Sequence, residues 1–281
     1  MTGAAVIINA DDLGLTPGVN RGILHGFRAG VLTSTTMLVN LRFFDDAVSL
    51  ARDNRDLPVG VHLSLLWGRP VCEPAAVPTL VGRDGCFPRR LGTLVRRYVL
   101  GRISSSDVER EFRCQLRRFL DAGLTPTHVD THKHVHALPG IRRALVAVAA
   151  EFGIRKLRLP CENGAAGGRP SWRIAAQRCA VRLLCRDSRA QLAAAGFKTT
   201  DHFVGIDYQG NLDGPALCRI LRGLPEGVTE VMCHPGFIDE HLAEFTRVPP
   251  HREVELAGLT DPAVRAVVAE RGIRLTHYGE L

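Results

Sequence analysis

The sequence predicts an α/β fold, a single-domain distorted (β/α) barrel with parallel strands and a helical insert. Short apolar runs typical of buried strands alternate with helical patterns along most of the 281 residues. Such alternation implies parallel pairing through right-handed crossovers. The pattern contains seven or eight strands, so a barrel short of one strand is expected, and an open doubly wound sheet is the alternative. One domain over 1–281 fits this count better than two.

In the first half of the chain, apolar and β-branched residues predict strands at 4–10, 35–40 and 59–65. Helical periodicity predicts helices at about 16–29, 43–52, 91–101 and 106–122. Thr16 and Pro17 suit the start of the first helix, and Gly30 suits its end. The residues at about 67–90 are rich in Gly and Pro. A loop of that length predicts a lid or a wall of a substrate site.

In the second half, a strand is predicted inside the histidine-rich stretch 127–140, and further strands at 156–160, 202–206, 227–235 and 273–277. Helices are predicted at 139–152, 172–195, 214–223 and 261–271. An Arg-rich helical insert is expected at about 164–200. The Gly-rich break at 164–169 lacks the strand-to-helix context of a phosphate-binding loop, so a linker is the better interpretation.

The composition, with 45% hydrophobic and 23% charged residues, is ordinary for a soluble globular protein. No apolar run reaches the roughly 18 residues that a spanning helix needs. Residues 1–12 lack the basic and apolar regions of a signal peptide. The eight cysteines are scattered without a C-x-x-C pair. This argues against a zinc knuckle and a disulfide framework, and for mostly buried thiols in a reducing cytoplasm.

The formal net charge of +7 raises nucleic acid or an anionic surface as a partner. The positive charge is mostly Arg on predicted helices without aromatic interleaving, so a solvated face is the better interpretation and no nucleic acid is expected. The Arg-rich insert, as a basic amphipathic element, is a candidate for peripheral membrane contact. Packing of one side on the core is the alternative.

Four histidines and an aspartate crowd into the stretch 127–136, T-H-V-D-T-H-K-H-V-H. In an extended segment His128, Asp130 and His132 share one face, because successive side chains of a strand alternate. Imidazole and carboxylate converging on one face can bind a divalent metal or transfer protons. The alternative, a polar strand end with merely hydrogen-bonded histidines, does not account for the whole cluster, which also contains His134 and His136.

Other polar residues fall where predicted strands end. Asp11 and Asp12 follow the first strand, His62 lies on the third, and His234 ends a late strand. In a barrel such residues converge on one mouth. The alternative for the two aspartates is an exposed turn. The alternative for His62 is a hydrogen-bonded position in the core. One carboxylate and two imidazoles on a metal suit hydrolysis or a non-haem iron oxygenase. A further carboxylate and a free histidine favour hydrolysis.

Five motifs, in order along nearly the whole chain, resemble the YdjC-like carbohydrate deacetylases: N-A-D-D-L-G at 9–14, V-L-T-S-T-T at 31–36, G-V-H-L at 60–63, T-H-V-D-T-H-K-H-V-H at 127–136 and V-M-C-H-P-G-F at 231–237. The resemblance implies removal of N-acetyl groups from amino sugars with one divalent ion, magnesium or zinc, between which two His and one Asp do not decide. It implies metal ligands at Asp12, His62 and His132. It also implies Asp11 as the base that activates water and His234 as the acid for the leaving amine. The remaining polar residues of the stretch would orient ligand imidazoles or contact substrate: His128, Asp130, His134 and His136.

Three features resemble the branch of this family that is associated with hopanoid lipid synthesis. They are F-P-R-R-L at 87–91, the Arg-rich insert, and H-K-H-V-H, in which Lys133 stands where the chitooligosaccharide type has His. The expected substrate is therefore an N-acetylglucosamine-type sugar, free or attached to a hopanoid lipid. A chitooligosaccharide deacetylase and a non-catalytic sugar- or membrane-binding protein are the alternatives. The expected location is the cytoplasm, with or without peripheral contact at the inner membrane, and the sequence leaves homo-oligomer formation open.

Overall fold

The computed structural model describes residues 3–162, 170–245 and 250–281. Within them the chain forms one curled, seven-stranded parallel sheet in the order β4-β3-β2-β1-β6-β5, with β7 also pairing with β1. The long strand β1 pairs with β6 along one side and with β2 and β7 along the other. The strands are β1 Ala4–Leu13, β2 Ser34–Met37, β3 Val59–Leu63, β4 Val129–Thr131, β5 His202–Val204, β6 Gly227–Cys233 and β7 Arg274–Leu275.

Ten helices surround this sheet in the described residues. Apolar side chains of the central strands, such as Ile7 and Ile8, are fully buried, as expected for strands covered on both faces. Those residues contain no helix that is both long and apolar enough to cross a membrane. The helices are α1 Pro17–Ala29, α2 Phe44–Asp53, α3 Leu91–Val99, α4 Ser105–Asp121, α5 Pro139–Glu151, α6 Trp172–Leu184, α7 Ser188–Ala194, α8 Gly214–Arg222, α9 Pro250–Thr260 and α10 Pro262–Glu270.

The predicted α/β fold is confirmed as a half-barrel of parallel strands with surrounding helices. The predicted strand at 156–160 is an extended segment that makes only single bridges, from Leu157 to Val129 and from Lys156 to Lys198. The segment lies beside β4, and Pro160 has no N–H with which to extend the pairing. The sheet therefore curls without closing into a regular barrel, which agrees with the expected missing strand.

Several predicted boundaries need correction. Strand β1 continues through the two aspartates to Leu13 instead of ending before them. The insert contains two helices, α6 and α7, where one was predicted, and α9 was not predicted at all. The loop 67–90 is irregular apart from a 3₁₀ turn at Pro74–Ala76. The Gly-rich break at 164–169 lies outside the described residues.

The expectation about cysteines is wrong in two respects. Cys72 and Cys114 form a disulfide, although they are 42 residues apart and belong to no recognisable spacing pattern. Their pairing joins the loop 67–90 to α4, a contact that only the tertiary fold creates. Of the free thiols, three are buried, whereas Cys86, Cys161 and Cys179 are partly or fully exposed.

Candidate metal centre

A β-bulge brings two adjacent aspartates to one side of the sheet. The pairing of β1 with β2 shifts register between Ala10 and Leu13, and Asp12 has a φ of +76°. On a regular strand, Asp11 and Asp12 would point to opposite faces. The extra residue of a bulge re-aims side chains, and here both carboxylates line the same cleft. The left-handed backbone of Asp12 is uncommon for a residue with a Cβ and marks a functional constraint.

Three potential ligand atoms face each other beside this bulge. Asp12 Oδ1 lies 3.2 Å from His132 Nδ1 and 3.8 Å from His62 Nε2, and the two imidazole nitrogens are 3.3 Å apart. Ligands ~2.1 Å from one ion, at angles of 90–109°, are separated by ~3.0–3.4 Å. Two of the separations match this range and the third is slightly wider. Among the residues that the structure describes, Asp12 Oδ1 has no hydrogen-bond partner although it is buried, so these residues fit a divalent ion.

The orientation of His62 is set from behind by Asp130. Asp130 Oδ1 lies 2.6 Å from Nδ1 of His62, the carboxylate–imidazole pairing that fixes the tautomer of metal-binding histidines. With the proton on Nδ1, the lone pair of Nε2 is free for a ligand on the side of the two aspartates. Burial alone would lower the pKa of His62, but the charges of Asp130, Asp11 and Asp12 outweigh it and raise that pKa. The same three carboxylates favour a divalent cation at this position.

His132 begins a distorted turn directly after β4. Lys133 and His134 have φ values of +56° and +54°, which ends the alternation of the strand. Burial is the main cause that lowers the pKa of His132 to about 4. The imidazole is therefore neutral near pH 7, and Nδ1 can offer its lone pair. The ring also packs against Trp67, with the centroids 4.5 Å apart.

Beneath the ligand atoms, Arg158 holds a fully buried ionic network. Its Nη1 and Nη2 donate to the two oxygens of Asp11, each at 2.7 Å. The same guanidinium lies 2.5 Å from Asp130 and 2.7 Å from Glu230, and Tyr278 donates to Glu230 at 2.5 Å. Burial would raise the pKa of the Asp11 carboxyl, but Arg158 together with His62 and His234 outweighs burial and holds that pKa below its ordinary value. Asp11 is ionised at neutral pH and rigidly placed.

Asp11, His62 and Asp130 also lie close enough together to hold an ion. In that second set, however, the two carboxylates already bind Arg158, and Asp130 binds Nδ1 of His62. An ion there would displace a buried cation. The set with Asp12 and His132 has an unpaired oxygen and is therefore the better candidate.

His234 follows β6 and reaches the same cleft. Its Nε2 lies 4.0 Å from Asp11 Oδ2, and the side chain is 27% exposed. Its backbone N–H donates to Glu255 of α9 at 2.5 Å, and the other oxygen of Glu255 accepts from Gly210 at 2.7 Å. Glu255 thus ties two cleft segments to one helix. His234 is the exposed imidazole next to the ionised Asp11.

The cleft has a volume of about 320 Å³. Trp67 and Phe245 form an aromatic wall, with ring centroids 5.4 Å apart. The insert supplies another wall through Ile174 and Gln177 of α6. In the described part of the chain, the non-glycine residues with positive φ all line this cleft: Asp12, Trp67, Lys133 and His134. Backbone strain is therefore concentrated at the site.

The sequence-predicted residues divide between the cleft and the layer below it. Those that line the cleft are Asp11, Asp12, His62, His132, His134 and His234. Asp130 lies behind His62. Nε2 of His136 donates to the Arg158 carbonyl at 3.0 Å, and Nδ1 of His136 lies 2.5 Å from the Thr131 hydroxyl. His128 stacks on Tyr278, with the centroids 3.8 Å apart, so these two histidines do not reach the cleft.

Sequence reasoning gave no role to four residues of the site. They are Trp67, Arg158, Arg252 and Glu255. The pattern that could have revealed two of them is the pair Arg252 and Glu255, three residues apart on the unpredicted α9. Residues at that spacing share one helix face.

The model of the family described as "YdjC-like protein" matches residues 5–270. A carbohydrate deacetylase of Geobacillus stearothermophilus is 38% identical over 275 residues, covering 98% of this chain and 96% of that protein. A chitooligosaccharide deacetylase of Klebsiella pneumoniae is 37% identical over 279 residues, covering 98% of each. A crystal structure from Enterococcus faecalis V583, named as a proposed cellobiose-phosphate cleavage protein, has a TM-score of 0.79 at 28% identity and covers 99% of this chain and 98% of that one.

Proposed function

Since this chain belongs to the YdjC-like protein family, we propose that it is a metal-dependent hydrolase that removes N-acetyl groups from an N-acetylglucosamine-type sugar. The observation that carries the proposal is the group of Asp12 Oδ1, His62 Nε2 and His132 Nδ1 within 3.8 Å of one another, beside the ionised Asp11. Hydrolysis of an unactivated amide needs such a Lewis-acid site next to a base. Relatives named as carbohydrate deacetylases support the same activity.

An ion held by Asp12, His62 and His132 would polarise the acetamide carbonyl and acidify a water molecule. We propose that Asp11 accepts the proton of the attacking water. Its carboxylate is kept ionised and immobile by Arg158. His234, which is partly exposed and has its Nε2 4.0 Å from Asp11 Oδ2, gives a proton to the departing amine. His134 lines the cleft and has an unpartnered Nδ1, so it would contact substrate.

The ligand set of two imidazoles and one carboxylate is compatible with zinc, whereas magnesium prefers oxygen ligands and water. We keep both ions in the proposal because oxygens of water and substrate would fill the remaining coordination positions of the ion. Metal-free protein reconstituted with each ion separately will distinguish them.

For the substrate, we propose an N-acetylglucosaminyl group that is lipid-linked, as in a hopanoid glycolipid. Free chitooligosaccharide is the alternative, and the similarity to the Klebsiella pneumoniae chitooligosaccharide deacetylase favours that alternative. The exposed surface of the insert favours the lipid-linked substrate. Trp172, Ala176, Cys179 and Leu183 lie at the i, i+4, i+7 and i+11 positions of α6 and are exposed. They form a stripe on one helix face.

This α6 stripe suits an anionic membrane surface. Trp172 and Leu183 are 76% and 71% exposed, and the exposed Arg173 and Arg182 flank them. An apolar stripe between arginines is typical of helices that lie in a lipid interface. Ile174 of the same helix lines the cleft, so a membrane contact here would bring a lipid-linked sugar to the site. We therefore propose a cytoplasmic protein in peripheral contact with the inner membrane.

Sedimentation with vesicles tests the membrane contact. We expect wild-type protein to bind phosphatidylglycerol vesicles more than phosphatidylcholine vesicles. The double substitution Trp172→Ser with Leu183→Ser should abolish the binding. The matched control is Val99→Ser with Leu100→Ser, which removes apolar side chains that are 73% and 52% exposed at the C-terminal end of α3. Equal vesicle binding by the two double variants would contradict the membrane contact. If the Trp172→Ser and Leu183→Ser substitutions change the molecular mass of the protein in solution, the stripe would instead be a contact within a homo-oligomer.

The first functional experiment measures acetate release. Metal-free protein is reconstituted with Mg, Zn, Mn, Co, Ni or Fe(II) and given N-acetylglucosamine oligomers or an N-acetylglucosaminyl lipid. Release from the lipid alone would support the hopanoid-type substrate, and release from free oligomers would support the chitooligosaccharide alternative. Metal binding without release from either substrate would contradict the deacetylase proposal and leave a sugar-binding protein.

A further inference from the structure

Arg252 reaches the cleft from α9 and has no role in the reaction described so far. Its Nη2 donates to Asp12 Oδ2 at 2.5 Å. The whole residue is only 8% exposed. Its Nη1 is buried and yet has no hydrogen-bond partner among the described residues. A buried guanidinium N–H that donates to nothing costs free energy. Because Arg252 lines the cleft, a molecule that enters the cleft can supply the missing acceptor.

The backbone of Arg252 is fixed, so this N–H is preorganised. Gly236 donates to the carbonyl oxygen of Arg252 at 3.2 Å. A Cβ at Gly236 would lie 3.3 Å from Cδ of Arg252, so the glycine permits the close approach of the two segments. Asp12 holds the other end of the side chain. A donor held at both ends needs no reorganisation when its acceptor arrives.

The chemistry of the acceptor follows from the neighbours of this guanidinium. Asp12 offers one oxygen to Arg252 and turns the other towards His62 and His132. The group that reacts beside these ligand atoms is the acetamide, so its oxygen is the nearest substrate acceptor. A charged donor gains most from an acceptor on which negative charge develops. A sugar hydroxyl would gain the same before and during the reaction, which gives no rate acceleration.

We propose that Arg252 is a catalytic residue whose Nη1 donates a hydrogen bond to the acyl oxygen of the N-acetyl group. The inference rests on the proposed deacetylase function. When the oxygen of water bonds to the carbonyl carbon, the π electron pair moves to the acyl oxygen, and Asp11 takes the water proton. The electron pair on the acyl oxygen then re-forms the carbonyl as the C–N bond breaks; the electron pair of that bond goes to nitrogen, and nitrogen takes a proton from His234. Arg252 stabilises the negative acyl oxygen between these two steps.

Kinetics of Arg252→Gln and Arg252→Lys test the assignment on two substrates, an N-acetyl sugar and its N-trifluoroacetyl analogue. For the N-acetyl substrate we expect Arg252→Gln to lower kcat by ~10²–10³-fold, with KM nearly unchanged. The penalty should be smaller for the trifluoroacetyl substrate, because fluorine itself stabilises the negative oxygen. Arg252→Lys should be intermediate. A change in KM alone, or equal penalties on both substrates, would overturn the proposal.

A purely positioning role of Arg252, through Asp12, makes a different prediction. In that case Arg252→Gln would weaken metal binding, and saturating metal would restore kcat. Calorimetric titration of metal-free Arg252→Gln with zinc therefore serves as a readout independent of activity. We expect a dissociation constant within ~10-fold of wild type, since Asp12 and both imidazoles remain. Full recovery of kcat at saturating metal would assign Arg252 to positioning only.

The control for removal of a buried arginine is Arg142→Gln. Arg142 is also 8% exposed, but it lies on α5, outside the cleft, and donates to the Ala137 carbonyl. The Arg142→Gln variant should retain the wild-type kcat even if its melting temperature falls. If Arg252→Gln does not fold, the substrate dependence of Arg252→Lys decides. Failure of wild-type protein to deacetylate any sugar would refute the proposed function, whereas an active wild type matched by Arg252→Gln would refute only the inference about Arg252.

Discussion

Asp11 and Asp12 are neighbours in the chain, but their surroundings differ sharply. Both oxygens of Asp11 bind Arg158, and one also accepts from Asn9 and Thr36. Asp12 has one oxygen on Arg252, while the other faces the imidazoles without a hydrogen bond. The layer around Asp11 satisfies its own charges. The layer around Asp12 leaves polar atoms for something that the protein does not supply.

This contrast separates the residues that hold the site in its geometry from the residues that are available to bind a ligand. A satisfied buried network holds its members in one geometry, and the Arg158 network fixes Asp11 and, through Asp130, His62. Unpaired buried atoms are costly and persist where a ligand compensates for them. The site is thus built as a rigid floor below an incomplete upper layer, and the first two predictions below alter one layer at a time.

The largest expected effect comes from replacing each aspartate. Asp12→Asn should lose divalent-metal binding together with activity. Asp11→Asn should lower kcat by ~10²–10⁴-fold while it retains the metal, because Asp11 is not among the three ligand atoms. Titration calorimetry and acetate release measure the two properties. The exposed Asp84→Asn is the control, and unchanged metal affinity in Asp12→Asn would contradict the division of roles.

Removal of the cation from the floor should cost stability. Arg158→Leu leaves Asp11, Asp130 and Glu230 buried without their shared partner, so the free energy of unfolding should fall by ~3–5 kcal/mol. Urea denaturation measures this. Arg155→Leu, an exposed arginine nearby in the chain, should cost less than ~1 kcal/mol. Similar losses in the two variants would mean that the buried network does not stabilise the fold.

A smaller effect is expected from the contact between the layers. Asp130→Asn keeps the size of the side chain but weakens its hold on Nδ1 of His62. Residues that orient a metal-binding histidine typically change metal affinity or activity by ~10–100-fold. Metal titration of this variant should show a loss in that range. An affinity equal to wild type would show that His62 does not need Asp130 for its orientation.

The smallest effect concerns Glu162, a buried carboxyl group that pairs with no cation in the described part of the chain. Glu162 accepts from three backbone N–H groups at 205–207, and burial followed by the charge of Asp207 raises its pKa to about 7. The folded state therefore holds a proton that the unfolded state has lost above about pH 4.5. Stability should fall between about pH 4.5 and 7. Glu162→Gln should flatten this part of the curve of unfolding free energy against pH; an unchanged slope would contradict the assignment.

The sequence predicted those parts of the fold that depend on local pattern. Thr16 accepts from the N–H of Val19 and caps α1 as expected, and the strands lie close to the predicted ranges. Asp11, Asp12, His62, His132 and His234 were expected at one mouth, and the structure brings them together. The convergence was predictable because the ends of parallel strands meet at one edge of the sheet.

The remaining features depend on tertiary context. His128 shares a predicted face with Asp130 and His132, but each lies at a different depth along the strand, and only His132 reaches the cleft. No local pattern shows that Arg158 will be surrounded by three carboxylates that are distant in the chain. Nor does a pattern reveal the positive φ of Asp12, since aspartate is not glycine and the bulge requires β2 as its partner.

The bulge in β1 also limits how this centre could be transplanted into another protein. The two aspartates face one cleft only because β1 carries a residue that β2 does not match. A designer who copied the residue types onto a regular strand of a new scaffold would turn one acid away from the other. Deleting one residue from this strand would have the same result. The transferable unit is the irregular strand together with its neighbour, and the side chains alone are insufficient.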